Sequence, residues 1–387
     1  MFRSRPLPFA LLSAVFAASS ISASFAAADD KAWSLVAPHT KPPAEFAGDL
    51  GTYRSPLERD DGTRVTTAAE WPARRAEIEA KWWKMMGGKP APVEKPKVVI
   101  VDSKSRERIT QRHVHVEVGP DGRLADGILL IPEGDGPFPA VIVPFYEPQS
   151  STGEGKPDTI GAIDFGIQLT RRGFVTLSIA TPGTLESKAD VRELLNDIGD
   201  RLKLQPLGYL AAVASNCRRA LAQMPYVDPK RIGIVGHSYG GKWSMFGSCL
   251  DQEFACACWC DPGIVFDETN GSVNYWEPWY LGWAEGPKRP RGIPSAEKPR
   301  TGLYKTLYEN NSREMLELHS LMAGRPVLDS GGSEDPPRNW RALNHLIAVN
   351  KLLGKENLVA MTNRPMHRPT PEAAAVIYAF FEHHLKK

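Results

Sequence analysis

The stretch Arg231-Ile-Gly-Ile-Val-Gly236-His237-Ser238-Tyr239-Gly240-Gly241 determines the fold class of this 387-residue chain. Its apolar half predicts a buried strand, and a predicted helix follows the Gly-x-Ser-x-Gly pattern. A serine in such a tight, strained turn holds its hydroxyl above the edge of a sheet. Side chains at Gly236 and Gly240 would collide with neighbouring backbone, and N–H groups at the start of a helix can stabilise an oxyanion. We therefore predict Ser238 as a nucleophile and the N–H of Tyr239 as an oxyanion donor.

The segments on both sides of this stretch alternate between predicted strands and predicted helices. Strands are predicted at 98–101, 113–118, 127–131, 140–143, 174–179, 232–235, 254–259, 326–328 and 358–361. Helices are predicted at 67–86, 160–171, 191–224 with a break near 205–206, 239–250, 312–322, 340–353 and 371–384. This order is typical of the α/β class, with a mostly parallel central sheet and helices on both faces.

The first 28 residues have the pattern of a cleaved secretory signal peptide. Arg3 and Arg5 precede an apolar run at 9–18, and small residues lead to Ala26-Ala27-Ala28. The apolar run is too short to span a bilayer, so we expect a secreted or periplasmic protein with no membrane anchor after cleavage. The whole chain has 47 basic and 45 acidic residues, and loss of this segment would leave equal numbers. A neutral chain has no electrostatic basis for binding nucleic acid.

We divide the rest of the chain into an N-terminal leader with its helix, residues 29–89, and a catalytic domain, residues 90–387. An irregular insertion at 261–311 carries five aromatic residues: Tyr275, Trp276, Trp279, Tyr280 and Trp283. It leaves the sheet near the predicted nucleophile, where α/β enzymes bind ligands, and flat rings suit sugar or phenolic groups. Trp276 and Trp279 are therefore predicted substrate contacts. The alternative is a cap buried against Trp82 and Trp83.

The cysteine and histidine patterns do not predict a metal centre. Five cysteines are too few for a disulfide scaffold, and Cys256, Cys258 and Cys260 are interpreted as small buried residues of one strand. His113 and His115 alternate on another predicted strand and are interpreted as part of its polar face. We expect neither a metal nor a cofactor.

Residues 90–387 resemble the α/β-hydrolase superfamily and, within it, the secreted carbohydrate esterases. The stretch Tyr226-Val-Asp-Pro-Lys-Arg-Ile-Gly-Ile-Val-Gly-His-Ser-Tyr-Gly-Gly241 is typical of the acetyl xylan esterase and dienelactone hydrolase-like group. Lys242 and the early Trp71…Arg74-Arg75-x-Glu77-Ile78 resemble the glucuronoyl esterases, in which a lysine at the place of Lys242 contacts the sugar. Those esterases carry Cys-Ser-Arg where this chain has His237-Ser238-Tyr239. The resemblance implies the α/β-hydrolase fold, with Lys242 as a substrate contact.

The partners of the serine are expected in loops that follow the other predicted strands. His367 lies between the last predicted strand and the closing helix, and its imidazole can take the serine proton and pass it to a leaving alcohol. Asp335, in Ser330-Gly-Gly-Ser-Glu-Asp335, matches the usual acid loop of the superfamily and is favoured as the acid. Asp261 is the alternative, at the offset from the serine where glucuronoyl esterases often place a Glu. The loop after 140–143 should supply a second oxyanion donor, the N–H of Tyr146.

These patterns predict a secreted serine carboxylic ester hydrolase that works through an acyl-enzyme. Its predicted substrates are small-molecule or polysaccharide esters with acetyl, feruloyl or methyl-glucuronoyl groups. A serine peptidase of the prolyl oligopeptidase type is an alternative, although such peptidases usually need a large N-terminal gating domain. A non-catalytic relative is a further alternative, against which the intact Ser238, His367 and Asp335 argue.

Overall fold

The computed structural model describes residues 31–157, 160–309 and 314–386, which form a nine-stranded sheet in the order β1-β2-β3-β5-β4-β6-β7-β8-β9. The pairs β1–β2, β2–β3 and β3–β5 are antiparallel, and the other neighbours are parallel. The strands are β1 (Val98–Arg106), β2 (Ile109–Glu117), β3 (Leu124–Pro132), β4 (Phe138–Pro144), β5 (Val175–Ile179), β6 (Val227–His237), β7 (Cys256–Cys260), β8 (Val327–Ser330) and β9 (Val359–Thr362). The predicted α/β class with a mostly parallel sheet is confirmed.

Helices cover both faces of this sheet. They are α1 (Trp71–Met85), α2 (Phe165–Thr170), α3 (Val191–Leu202), α4 (Pro206–Ala222), α5 (Tyr239–Leu250), α6 (Gly302–Glu309), α7 (Leu316–Ser320), α8 (Trp340–Leu352) and α9 (Pro371–Leu385). Ala140 and Ile142 of β4 belong to the same apolar cluster as α4 and α5. Val141 and Val143 belong to the cluster that contains α2 and α9. Because neighbouring strand residues point to opposite faces, β4 is buried on both sides.

Several predicted helix bounds differ from the structure. The helix predicted at 160–171 is reduced to Phe165–Thr170, because Asp164 before it has a non-helical backbone. The helix predicted at 312–322 is reduced to Leu316–Ser320, and residues 312–313 lie outside the described residues. The region 191–224 does break where predicted, since Lys203 ends α3 in a left-handed conformation and Pro206 begins α4.

The predicted signal peptide, residues 1–28, lies outside the described residues. Among the residues that the structure does describe, we find no helix with the length and apolar character needed to cross a membrane.

Helix α1 is joined to helix α7 by a buried ion pair. Nη2 of Arg74 lies 2.7 Å from Oε1 of Glu317, and the exposed fractions of the two side chains are 4% and 5%. Nε of Arg74 also donates to the carbonyl of Pro56 at 2.9 Å, and Nζ of Lys81 lies 3.0 Å from the other Glu317 oxygen. Removal of Arg74 would leave a buried carboxylate with fewer partners.

We predict that Arg74→Ala lowers the free energy of unfolding by about 3 kcal/mol, since breaking a buried ion pair leaves an uncompensated charge. Urea denaturation measures this change. Arg75→Ala on the same helix is the matched control, because Arg75 pairs with Glu79 nearer the surface and such a pair contributes about 1 kcal/mol at most. Equal losses in the two variants would contradict a special role for the Arg74–Glu317 pair.

Candidate active site

Ser238 lies in the sharp turn between β6 and α5. Its φ of 56° and ψ of −113° are strained for a residue with a side chain. The turn holds because the N–H of Ser238 donates to the carbonyl of Cys260 at 2.8 Å. A Cβ at Gly236 would lie 2.2 Å from the Gly240 oxygen, and a Cβ at Gly240 would lie 2.2 Å from the Pro144 oxygen. Only glycine fits at both positions, as the sequence indicates.

Two backbone N–H groups beside this turn are available to a ligand. The close approach of Gly240 to the Pro144 carbonyl brings the loop after β4 against the first turn of α5. Within the described residues, neither the N–H of Tyr239 nor that of Tyr146 has a hydrogen-bond acceptor. The two phenol rings stack with centroids 4.5 Å apart. This arrangement can accept the negative charge of a tetrahedral intermediate.

His367 lies in the loop between β9 and α9 and contacts Asp261. Its Nδ1 lies 2.7 Å from Oδ2 of Asp261, whose side chain is fully buried at the end of β7. The rings of His367 and His237 lie with centroids 4.4 Å apart, and His237 immediately precedes Ser238. With Nδ1 bound to a carboxylate, the Nε2 atom is left for the serine proton.

The Asp261 carboxylate is held by the loop that follows β8. Its Oδ1 accepts hydrogen bonds from the N–H groups of Gly332, Glu334 and Asp335 at 2.6, 3.2 and 2.9 Å. The backbone of Asp261 has a φ of 51°, which turns the residue sharply away from the strand. One oxygen is thus fixed by main chain while the other orients His367.

The expectation that Asp335 orients His367 does not match this geometry. The Asp335 carboxylate accepts from the N–H groups of Gly263 and Ile264 at 2.7 and 2.6 Å and from Nδ2 of Asn339 at 2.9 Å. Burial, and then the negative charge of Asp261, raise the pKa of Asp335 above its usual range. Because these donors occupy both of its oxygens, Asp335 closes the loop, and Asp261 takes the place beside His367.

A second carboxylate, that of Glu334, lies next to the same histidine. Its Oε1 is 3.3 Å from Nδ1 of His367, and its Oε2 is 3.5 Å from Nζ of Lys242. Burial raises the pKa of Glu334, and the positive charge of Lys242 opposes that shift. Nζ of Lys242 also donates to the carbonyl of Pro262 at 2.6 Å, and the lysine is only 1% exposed. The predicted sugar contact Lys242 is therefore bound to the insertion and to Glu334.

The two tryptophans predicted as substrate contacts are buried. Trp276 packs edge-on against Tyr304 with ring centroids 5.9 Å apart, and it is 1% exposed. Trp279 is 6% exposed, with the guanidinium groups of Arg192 and Arg291 at 5.7 and 4.8 Å from its ring. The insertion thus resembles the alternative of a buried cap. The ring against which Trp276 packs, that of Tyr304, belongs to the insertion itself.

The three cysteines of β7 are fully buried, as the sequence indicates. Burial raises the pKa of the Cys256, Cys258 and Cys260 thiols. The three side chains belong to the apolar cluster that contains Val141 and Val143 of β4, as small core residues do.

Comparison with known proteins supports the same architecture. Residues 210–320 match the prolyl oligopeptidase family, and no curated protein matches the chain in sequence. A glucuronoyl esterase from Solibacter usitatus has a TM-score of 0.62 and 16% identity, over 88% of this chain and 99% of that chain. A promiscuous CE15 esterase from the marine bacterial metagenome has a TM-score of 0.64 and 17% identity, over 86% and 97%. Acetyl xylan esterase 1 from Thermoanaerobacterium sp. has a TM-score of 0.52 and 15% identity, over 88% and 98%.

The protein has the α/β-hydrolase fold. The resemblance indicated by the sequence is confirmed at this level, and at these identities the solved structures show the fold alone.

One buried residue of this site, Arg364, is not predicted from the sequence pattern. Arg364 is buried in the loop that carries His367, and its Nη1 donates to the carbonyls of Ser330 and Gly331 at 2.8 and 3.0 Å. Its Nη2 donates to the carbonyl of His367 at 2.6 Å. Arg364 therefore ties the histidine loop to the end of β8. In the sequence, the one signal for a role of Arg364 is its position three residues before the predicted base His367.

We predict that Asp261→Asn lowers turnover by up to about 10⁴-fold, because an amide favours the wrong histidine tautomer and cannot stabilise imidazolium. Asp335→Asn is the matched control, since Asp335 is also a buried Asp, in the loop that follows the neighbouring strand β8. We expect it to lower thermal stability more than turnover. Ester hydrolysis and thermal unfolding of both variants measure these effects, and a larger loss of turnover in a folded Asp335→Asn would contradict the assignment.

Proposed function

We propose that this α/β-hydrolase is a serine carboxylic ester hydrolase acting on carbohydrate esters. The observation that carries the proposal is the 2.7 Å contact between His367 and Asp261, next to a serine in a strained turn. Ser238 follows β6, Asp261 follows β7 and His367 follows β9. All three residues therefore lie at the edge of the sheet formed by the carboxyl ends of its parallel strands. Ligands of such sheets bind at that edge.

In the proposed reaction, Ser238 attacks the ester carbonyl while His367 takes the hydroxyl proton. Asp261 stabilises the imidazolium, and the N–H groups of Tyr239 and Tyr146 receive the oxyanion. His367 then protonates the leaving alcohol, which gives an acyl-enzyme on Ser238. Water activated by the same imidazole hydrolyses the acyl group and regenerates the serine. No step requires a metal or a cofactor.

The proposed substrate class rests on the structural neighbours and on the position of the acid. The neighbours are described as glucuronoyl and acetyl xylan esterases. Asp261 has the offset from Ser238 at which glucuronoyl esterases often carry a Glu, according to the resemblance above. We propose small-molecule or polysaccharide esters with acetyl, feruloyl or methyl-glucuronoyl groups as substrates, and neither nucleic acid nor membrane as a partner.

The match of residues 210–320 to the prolyl oligopeptidase family supports a second candidate, a serine peptidase. It would use the same serine and histidine on an amide bond. The two candidates differ in the leaving group, so a substrate panel separates them.

We predict that the wild type hydrolyses at least one carbohydrate ester among acetyl-xylose, feruloyl-arabinose and methyl-glucuronoyl substrates. Ser238→Ala should lose about 10⁶-fold in turnover because the nucleophile is absent. Ser248→Ala is the matched control, since Ser248 lies in α5 behind the turn and donates to the Ser244 carbonyl. Hydrolysis of a prolyl peptide but of no ester would favour the peptidase, and a Ser238→Ala variant within tenfold of wild type would exclude this nucleophile.

We also propose export after removal of residues 1–28. The expected mature N-terminus is Asp29, after Ala26-Ala27-Ala28. Intact-mass measurement of the protein secreted or released from the periplasm of an expressing bacterium tests this. Retention of Met1 on the exported protein would contradict cleavage.

A further inference from the structure

We propose a binding site for a divalent transition metal on the antiparallel part of the sheet, formed by His113, His115 and Asp126. Each of these side chains offers one ligand atom, and the three atoms lie within 4.8 Å of one another. Nothing in the proposed hydrolytic reaction uses these residues. The sequence pattern predicts the two histidines as part of a polar strand face, and the structure adds the carboxylate of Asp126 to that face.

The strand register explains why these groups converge. His113 and His115 are two residues apart on β2, so their side chains lie on the same face. Asp126 of β3 pairs directly with His115, and Asp102 of β1 pairs directly with His113. Three neighbouring strands therefore place two imidazoles and two carboxylates on one face, on a hydrogen-bonded backbone that needs no rearrangement.

The contacts between these side chains are already short. Nε2 of His113 lies 2.5 Å from Oδ1 of Asp126, and its Nδ1 lies 3.7 Å from Oδ2 of Asp102. The rings of His113 and His115 have centroids 5.4 Å apart in an edge-on arrangement. The exposed fractions of the His113 and Asp126 side chains are 33% and 18%, so an ion can reach them from solvent.

Two imidazoles and a carboxylate form a ligand set typical of Zn²⁺, which binds nitrogen and oxygen at about 2.0–2.2 Å. Ligands of one tetrahedral ion are then roughly 3.3 Å apart. His113 and Asp126 would separate by less than about 1 Å, and the ion would replace the proton that they share. Water would complete the coordination, and Asp102, which lies on the Nδ1 side of the His113 ring, would orient that imidazole. Imidazole ligands favour Zn²⁺, Cu²⁺ or Ni²⁺ over Mg²⁺ and Ca²⁺.

This site is separate from the proposed catalytic centre. Four strand spacings divide β2 from β6 in the sheet, which corresponds to roughly 19 Å. A bound ion would link β2 to β3 near the antiparallel edge and stabilise the folded state by mass action. Ester hydrolysis should not depend on its presence.

The test uses the full chain without a histidine tag, first treated with EDTA and then titrated with ZnCl₂ in a calorimeter. We expect one Zn²⁺ per chain and a higher melting temperature. His113→Ala, His115→Ala and Asp126→Asn should each weaken binding by about tenfold or more, as expected when a ligand of a three-residue site is lost. With Cu²⁺ as the probe, electron paramagnetic resonance should show coupling to two imidazole nitrogens in the wild type.

The matched control is the double variant His383→Ala/His384→Ala, which removes the adjacent histidine pair at the end of α9. It should bind Zn²⁺ as the wild type does. Circular dichroism and the ester hydrolysis rate verify that each variant is folded. Unchanged affinity in folded His113→Ala and His115→Ala, or no binding of Zn²⁺ and Cu²⁺ by the wild type, would overturn the proposal. Loss of hydrolysis in EDTA would show instead that a metal serves the catalytic reaction.

Discussion

The carboxylate of Asp261 is the group on which the rest of the proposed active site depends. One oxygen accepts three N–H groups of the loop 332–335, and the other accepts the imidazole of His367. In return, the Asp335 carboxylate accepts the N–H groups of residues 263 and 264. Each of the loops after β7 and β8 thus supplies an aspartate carboxylate that accepts N–H groups of the other loop. Both carboxylates are fully buried, so the loss of one of them would leave N–H groups unsatisfied at a cost of about 1–3 kcal/mol each.

The register of β6 and β7 places the serine and the acid side by side. His237 and Cys260 are paired and are the last residues of their strands. Ser238 and Asp261 are therefore the first residues after the two strands. Both have positive φ angles, 56° and 51°, and both leave the sheet at the same level. Such backbone strain costs about 1–3 kcal/mol per residue and persists only where surrounding contacts enforce it. Here the hydrogen bond from Ser238 to the Cys260 carbonyl joins the two strained turns.

The sequence predicted the elements of this site better than its contacts. Ser238 and His367 could be proposed as nucleophile and base because each stands between a predicted strand and a predicted helix, which is local information. Asp261 and Asp335 also follow predicted strands, so the sequence pattern leaves both of them as candidates for the acid that orients His367. Which carboxylate faces the imidazole depends on the left-handed turn at Asp261 and on how two loops pack together, and neither is visible in a linear pattern. The burial of Trp276 could not be predicted for a similar reason, since it depends on how the insertion folds back on itself.

Tyr239 stands where the glucuronoyl esterases carry an arginine, so no side-chain cation follows the proposed nucleophile in this chain. The Tyr239 hydroxyl is bound to Thr181 at 2.9 Å, and the buried ring carries no positive charge. Of the cations near the histidine, Lys242 is paired with Glu334, and Arg364 is bound by backbone carbonyls. The developing negative charge would therefore rest on backbone N–H groups and on the positive end of α5, which act without a mobile side chain. We expect such a site to favour a neutral ester over a substrate with a free carboxylate next to the scissile bond, because the buried Asp261 carboxylate would repel the anion.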